Sequence, residues 1–318
     1  MAAYWNDETV RTDLDHLPPQ KQRELERVVR LLFEEFEDAT KNATGKTKDG
    51  RILKIVLYGS YTSDRWVDEP YTAKGYQSDY DLLIIVDQNE LTDTVAYWHK
   101  ANDRLIREYG ITHALRTPVN FIVHTLQEVN DALAHGRYFF MDIAKEGIAL
   151  YQSDDRELHK PRPKTPKQSV DMAREYFEEW YSSAGEFYAN FEFTLSNGRF
   201  KNSAFQLHQS TERLYHCVLL VCTFYTPHVH NLEFLRKKAE SLDIRVRDVW
   251  PSDSRADRAK FEKLKEAYVK ARYSKHYKIS EEELRWLGER VEQLGQVVLT
   301  ICKERIDLLE AAAISNDK

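Results

Sequence analysis

Two aspartates one residue apart, Asp79 and Asp81, stand directly ahead of an apolar run, Leu82 to Val86. In an extended chain alternate residues share a face, so the two carboxylates point the same way. Carboxylates this close repel unless a cation lies between them, and a pair of hard oxygen ligands suits Mg²⁺. Upstream, a second apolar run from Ile52 to Tyr58 breaks at Gly59-Ser60. Glycine lets backbone N–H groups approach a phosphate, and the Ser60 hydroxyl adds a donor. The chemistry these four residues offer together is a divalent-cation clamp beside a phosphate cradle. An acidic-edged hairpin is the plain alternative. It leaves unexplained why two Asp, disfavoured in strands, sit against so apolar a run.

These groups need two strands to hold them and helices to cover the strands. After a polar arm over residues 1–17, apolar residues at three- and four-residue steps from Leu25 to Phe36 predict a helix over about 20–40. Residues 93–109 read as a helix ended by Gly110, and Pro118 to His124 holds a third strand. Helices over 126–134 and 137–146 and a short extended piece, Ile148 to Tyr151, complete this half. The segment between the Gly-Ser break and the aspartates carries Tyr61, Arg65, Trp66 and Lys74 and is expected to fold over a bound nucleotide.

The order strand, Gly59-Ser60, loop, Ser78-Asp79-Tyr80-Asp81, apolar strand resembles the nucleotidyltransferase fold of the polymerase-beta type. The resemblance implies a mixed sheet with helices. It also implies Mg²⁺ held by Asp79 and Asp81, and a nucleoside triphosphate, ATP being the first candidate, cradled by Gly59 and Ser60. Many members add a third carboxylate on a third strand. Here the nearest position is Asn120, whose amide offers an oxygen but neither a negative charge nor a base. Asp142 and Glu146 are the alternatives for that carboxylate; a site with fewer metals or without catalysis is a further one.

Residues 159–168 hold three prolines and four Lys or Arg, which predicts an extended connector. Beyond Ser169 the pattern is helical, with segments near 169–196, 200–225, 231–242, 255–274 and 280–312, and the last residues from Ala311 are expected to fray. The reading is therefore α+β: a catalytic-type domain over 1–158, a connector over 159–168 and an all-α bundle over 169–318.

Three stretches of the helical half, Ser203 to Leu220, His228 to Leu242 and Ala267 to Tyr277, resemble HEPN domains, which often accompany minimal nucleotidyltransferases. Some members are RNases in which four to six residues separate an Arg from a His. Arg272 and His276 have three residues between them and would share a face if the helix continued. The plainer reading has Arg272 and Tyr273 brace the bundle and His276 sit in a turn. In related two-gene systems the transferase modifies a Tyr near that motif, which makes Tyr273 and Tyr277 the candidates. His208 and Glu212 share a helical face and predict a structural hydrogen bond. His228 and His230 lack a third metal ligand and predict capping or packing.

The 318-residue chain has a formal net charge of −6, with basic and acidic residues mixed, which argues against a strongly nucleic-acid-binding surface. Cys217, Cys222 and Cys302 lie in apolar helical patterns and read as reduced core thiols. No signal peptide or membrane span is apparent, so a cytoplasmic protein is expected. The leading expectation is Mg²⁺-dependent nucleotidyl transfer to a hydroxyl of a protein Tyr, an RNA end or a small molecule. The rivals are a fused toxin–antitoxin-like module with a HEPN RNase and a non-catalytic nucleotide-binding or assembly protein. Phe187, Phe191, Phe193, Phe205 and Tyr215 exceed one apolar stripe and predict a homodimer through the helical domain.

Overall fold

The computed structural model describes residues 12–41, 47, 49–63, 66–68, 77–153, 157–227, 229–251 and 254–316. The chain divides into two compact units, Met1–Pro163 and Lys164–Lys318.

In the first unit, helix α1 (Pro19–Thr40) is followed by strand β1 (Ile52–Tyr58) and a tight turn over Gly59–Thr62. Strand β2 (Tyr80–Val86), helix α2 (His99–Gly110) and strand β3 (Val119–Thr125) come next. Helices α3 (Leu126–Ala134) and α4 (Tyr138–Glu146) and strand β4 (Ile148–Gln152) close the unit. The helix expected over 93–109 is shorter at its start. Asp93 instead accepts from Val95 N and Ala96 N in a separate turn, and the α-helix begins at His99.

Among the described residues the sheet has four strands in the order β3-β2-β1-β4. β1 pairs antiparallel with β2 and β4, while β2 and β3 run parallel. The sheet is therefore mixed. All seven residues of β1 are buried, because both faces of this central strand are covered. On one face Ile55, Leu57, Tyr80, Leu82 and Ile84 pack with Leu25, Val28 and Leu32 of α1 and with Trp98 and Leu105. On the other, α4 closes over the sheet: Phe139 meets the Tyr58 ring edge-on at 5.3 Å. Gly147, just beyond α4, lies so near Val56 that a Cβ there would come within 2.8 Å of it.

The connector is shorter than its composition predicts. Thr165 and Gln168 form a reciprocal capping box, and Pro166 occupies the first helical turn, where its missing N–H costs nothing. Residues 166–168 thus belong to helix α5 (Pro166–Ser196). The extended part is pinned along α3 by His159 N donating to Asn130 Oδ1 and Arg162 N donating to Leu133 O.

Among its described residues the regular elements of the second unit are all helices. After α5 come α6 (Phe200–Thr223), α7 (Leu232–Leu242) and the short α8 (Arg245–Asp248). The long helices α9 (Arg255–Tyr273) and α10 (Glu281–Asn316) complete it. α10 stays helical through Asn316, so the fraying expected from Ala311 is not found. Helices α5 and α10 meet closely: Tyr181 and Tyr188 donate through their hydroxyls to the backbone carbonyls of Gly295 and Gly288 at 3.3 and 3.2 Å. Of the aromatics expected at an interface, Phe191 and Tyr215 are buried inside this unit, whereas Phe193 is 62% exposed. The surplus aromatic surface is therefore smaller than the composition implies.

Candidate functional site

The first unit brings the carboxylates, the Gly-Ser turn and the third strand to one end of the sheet. Tyr80, between the aspartates, turns into the core and donates through its hydroxyl to the buried Glu24 at 3.1 Å. Asp79 and Asp81 accordingly lie on the opposite face, half-buried. Asp81 is paired across the sheet with Tyr58 on one side and with Asn120 on the other. Asn120 reaches back along the strand direction and donates from Nδ2 to Asp79 Oδ2 at 2.7 Å. One amide thus sits beside both carboxylates.

Gly59 has φ +82°, the left-handed region that favours glycine, and a Cβ there would lie 3.0 Å from Asp81 Oδ2. A side chain at residue 59 would therefore press on the Asp81 carboxylate. Ser60 is half-buried, and its carbonyl accepts from Ser63 N. Tyr58 is held well above the usual phenol range by burial and by the charge of Asp81, so it stays a neutral hydroxyl beside that carboxylate.

The two carboxylates are hard oxygen ligands that suit a divalent cation, while the Asn120 amide turns its nitrogen to Asp79. Among the described residues no group of three or more His, Cys, Asp or Glu side chains is placed to hold a metal ion. Asp142 and Glu146, exposed on α4, do not join the aspartates in such a group. The position facing the pair is occupied by the amide of Asn120. Arg65 and Lys74 lie outside the described residues. Trp66 stacks on Tyr61 at 5.4 Å, 11° from parallel, at the base of that segment.

A buried polar network behind the site has no counterpart in the sequence reading. Lys21, 6% exposed, pairs with Asp68 at 2.8 Å and donates to Thr117 Oγ1 at 2.7 Å. Its ammonium lies 5.6 Å from the ring centres of both Tyr61 and Trp66. Thr117 in turn donates to Glu24 Oε2 at 3.0 Å. The network ties α1 to the turn, to β2 and to the start of β3. Its signal was phase: Lys21 precedes Leu25 by one helical turn and Glu24 precedes Val28 likewise, placing both on the apolar stripe.

In the second unit the chain leaves α9 at Tyr273, and Ser274 is extended at φ −102°, ψ 122°. Arg272 and His276 therefore do not share a helical face. Arg272 donates from Nε to Tyr268 O at 2.6 Å and lies over the rings of Tyr268 and Phe205. His276 sits exposed in a turn, its backbone N–H bonded to Ser274 Oγ. Tyr273, expected to brace the bundle, is 76% exposed; Tyr277 is buried and donates to Lys263 O at 2.9 Å. Only Tyr273 of that pair presents its hydroxyl to solvent.

The predicted His208–Glu212 contact is part of a larger cluster. Buried Glu212 faces His208 Nε2 at 3.4 Å and His216 Nε2 at 4.0 Å. His230 Nδ1 donates to both of its carboxylate oxygens at 3.1 and 3.2 Å. His208 Nδ1 donates to Leu264 O on α9, so the cluster joins α6, α9 and the segment ahead of α7. Burial alone raises the pKa of Glu212, but the bonds and charges of His208 and His230 outweigh it and hold the carboxyl below its ordinary value. His230 thus packs against a ring, Tyr268, at 4.2 Å and bonds a buried acid; His228 lies outside the described residues.

Residues 177–303 match the HEPN domain family. Among solved structures, the chain is similar to a nucleotidyltransferase-like protein from Exiguobacterium sibiricum 255-15, with 11% identity and a TM-score of 0.29; the match covers 87% of this chain and 77% of that one. A search of curated proteins finds no relative. No described helix is long and apolar enough to cross a membrane.

Proposed function

We propose that the first unit binds a nucleoside triphosphate with Mg²⁺ and transfers its nucleotidyl group to a hydroxyl acceptor. The observation that supports this is the placement of the Gly59 turn directly against the Asp81 carboxylate. Asp79 and Asp81 would hold the cation, and Asn120 would orient Asp79 through its Nδ2. Mg²⁺, when bound, neutralises charge on the triphosphate as its bond to pyrophosphate weakens. The residues bind and align: Gly59 and Ser60 fix the phosphates, and the acceptor oxygen attacks the α-phosphorus as pyrophosphate leaves. No carboxylate on β3 is available to take the acceptor's proton, so it passes to water. Incubation with labelled ATP and Mg²⁺ tests the proposal; pyrophosphate release coupled to labelling of protein, RNA or a small hydroxylated acceptor is expected.

A second reading follows from Asn120. Because the facing position holds an amide bonded to Asp79 rather than a third carboxylate, the site suits binding of a Mg–nucleotide without turnover. Saturable ATP binding with no pyrophosphate release selects this reading. Failure of ATP and the other triphosphates to bind at all rejects both.

A further inference from the structure

A second cleft lies behind the carboxylates, on the α1 face of the sheet. It has a volume of about 230 Å³ and is lined by Gln20, Arg23, Glu24, Arg27, Ala114 and Arg116. His113, in the left-handed region at φ 52°, turns the chain out of α2 and brings Ala114 and Arg116 to the rim. Three arginines therefore line one small opening in a chain whose formal net charge is −6.

The charge around this cleft is not balanced from within. Arg27 is engaged through Nε with Glu108 Oε2 at 2.6 Å. Arg23 and Arg116 are exposed, and neither guanidinium has a carboxylate partner among the described residues. The one acid in the lining, Glu24, is already satisfied. Its Oε1 accepts from Arg116 N at 2.6 Å, and its Oε2 accepts from Thr117 Oγ1 and the Tyr80 hydroxyl at 3.0 and 3.1 Å. Lys21 behind it is paired with Asp68. The floor is therefore fully hydrogen-bonded, while the rim carries two exposed guanidinium groups with no carboxylate partner among the described residues.

We propose that this cleft binds a phosphate group. A guanidinium fork donates two parallel hydrogen bonds to a phosphate, and two unpaired forks with a third partly engaged surround a tetrahedral dianion better than a single carboxylate. The Gln20 amide adds a neutral donor at the edge. The volume leaves room for the phosphate and part of the group that carries it, whether a small phosphate ester or a polynucleotide backbone. This site is separate from the Asp79–Asp81 pair, which lies on the opposite face, and it does not depend on the cation.

Calorimetric titration of the full chain with pyrophosphate, in EDTA and at low salt, tests the proposal. Binding is expected in the wild type and should weaken at least about tenfold in R23Q/R116Q, as expected from losing two charged hydrogen-bonding groups. R23K/R116K, which keeps charge but not the fork, should fall between the two. D79N/D81N should bind as the wild type does. Absence of wild-type binding, equal affinity in R23Q/R116Q, or loss in D79N/D81N would each overturn the assignment. Thermal unfolding of every variant guards against misfolding, and if the double variant unfolds, the single variants R23Q and R116Q replace it under the same criterion. A parallel titration with a uridine hexamer that lacks terminal phosphates identifies the source. Binding of the hexamer that R23Q/R116Q removes marks a polynucleotide, and binding of pyrophosphate alone marks a small phosphate.

Discussion

Asn120 donates a hydrogen bond to Asp79 across two parallel strands at 2.7 Å, while its own backbone lies opposite Asp81. The amide therefore does two things at once. It supplies a donor that eases the repulsion between the carboxylates, and it withholds the charge a third acid would bring.

Asn120→Asp should reverse both effects. The apo protein should lose about 1–2 kcal/mol of stability from three clustered carboxylates, and Mg²⁺ should restore more stability to the variant than to the wild type. Thermal melts with and without Mg²⁺ measure this. If turnover is limited by the missing acid, pyrophosphate release should rise in the same variant. A melt that ignores Mg²⁺ would count against a cation at this position.

Asp79→Ala and Asp81→Ala should each lower Mg–ATP affinity at least about tenfold, or ~1.4 kcal/mol, without unfolding the protein. Calorimetry on both variants is the check. Undiminished affinity would remove these residues from the site.

Gly59→Ala asks more of the turn than a methyl group suggests. Residue 59 is at φ +82°, and the new Cβ would stand 3.0 Å from Asp81 Oδ2. Strain of about 1–2 kcal/mol is expected together with displacement of Asp81. Denaturant unfolding should show the first, and weakened nucleotide binding the second. A variant as stable and as tightly binding as the wild type would show that the turn yields freely.

Glu212→Gln tests the buried cluster of the second unit. The folded carboxyl sits below its ordinary value of 4.5, so its contribution is complete above that pH and is lost as pH falls toward the lowered value. The wild type should lose stability in that acid range, and the variant should have a flatter acid limb. At neutral pH the variant should be less stable by about 1–3 kcal/mol, because His208 and His230 lose a charged acceptor. Parallel acid limbs in the two proteins would assign the acid sensitivity elsewhere.

The carboxylate pair was legible because its logic is local: alternation over three residues puts Asp79 and Asp81 on one face, and an apolar run marks the strand. The long helices of both units were legible for the same reason, whereas the short α8 and the start of α2 were not. What was hidden depends on distant pairing. The Asn120–Asp79 bond spans 41 residues, and no periodicity in β2 states that β3 will lie parallel to it in that register. The phase of Lys21 could be read, but its partners could not. A Lys on an apolar stripe reads as solvent-reaching until Asp68, Thr117 and two aromatic rings are seen around its ammonium. The end of α9 could be read two ways, because Arg272 to Tyr277 contains neither Gly nor Pro to announce the extended Ser274.

The two tyrosine-to-glycine contacts between α5 and α10 fix a registry. Tyr181 meets Gly295 and Tyr188 meets Gly288, so the partners step by seven residues along each helix in opposite directions. A Cβ on Gly288 would stand only 2.8 Å from the Phe191 ring. Sliding one helix by two turns would keep one tyrosine opposite a glycine and strand the other. Deleting a single residue between the contacts would rotate the remainder of that helix by about 100° and point its glycine away from the tyrosine. These two helices should therefore accept substitutions along their outer faces far more readily than any change of length between residues 181 and 188 or between 288 and 295.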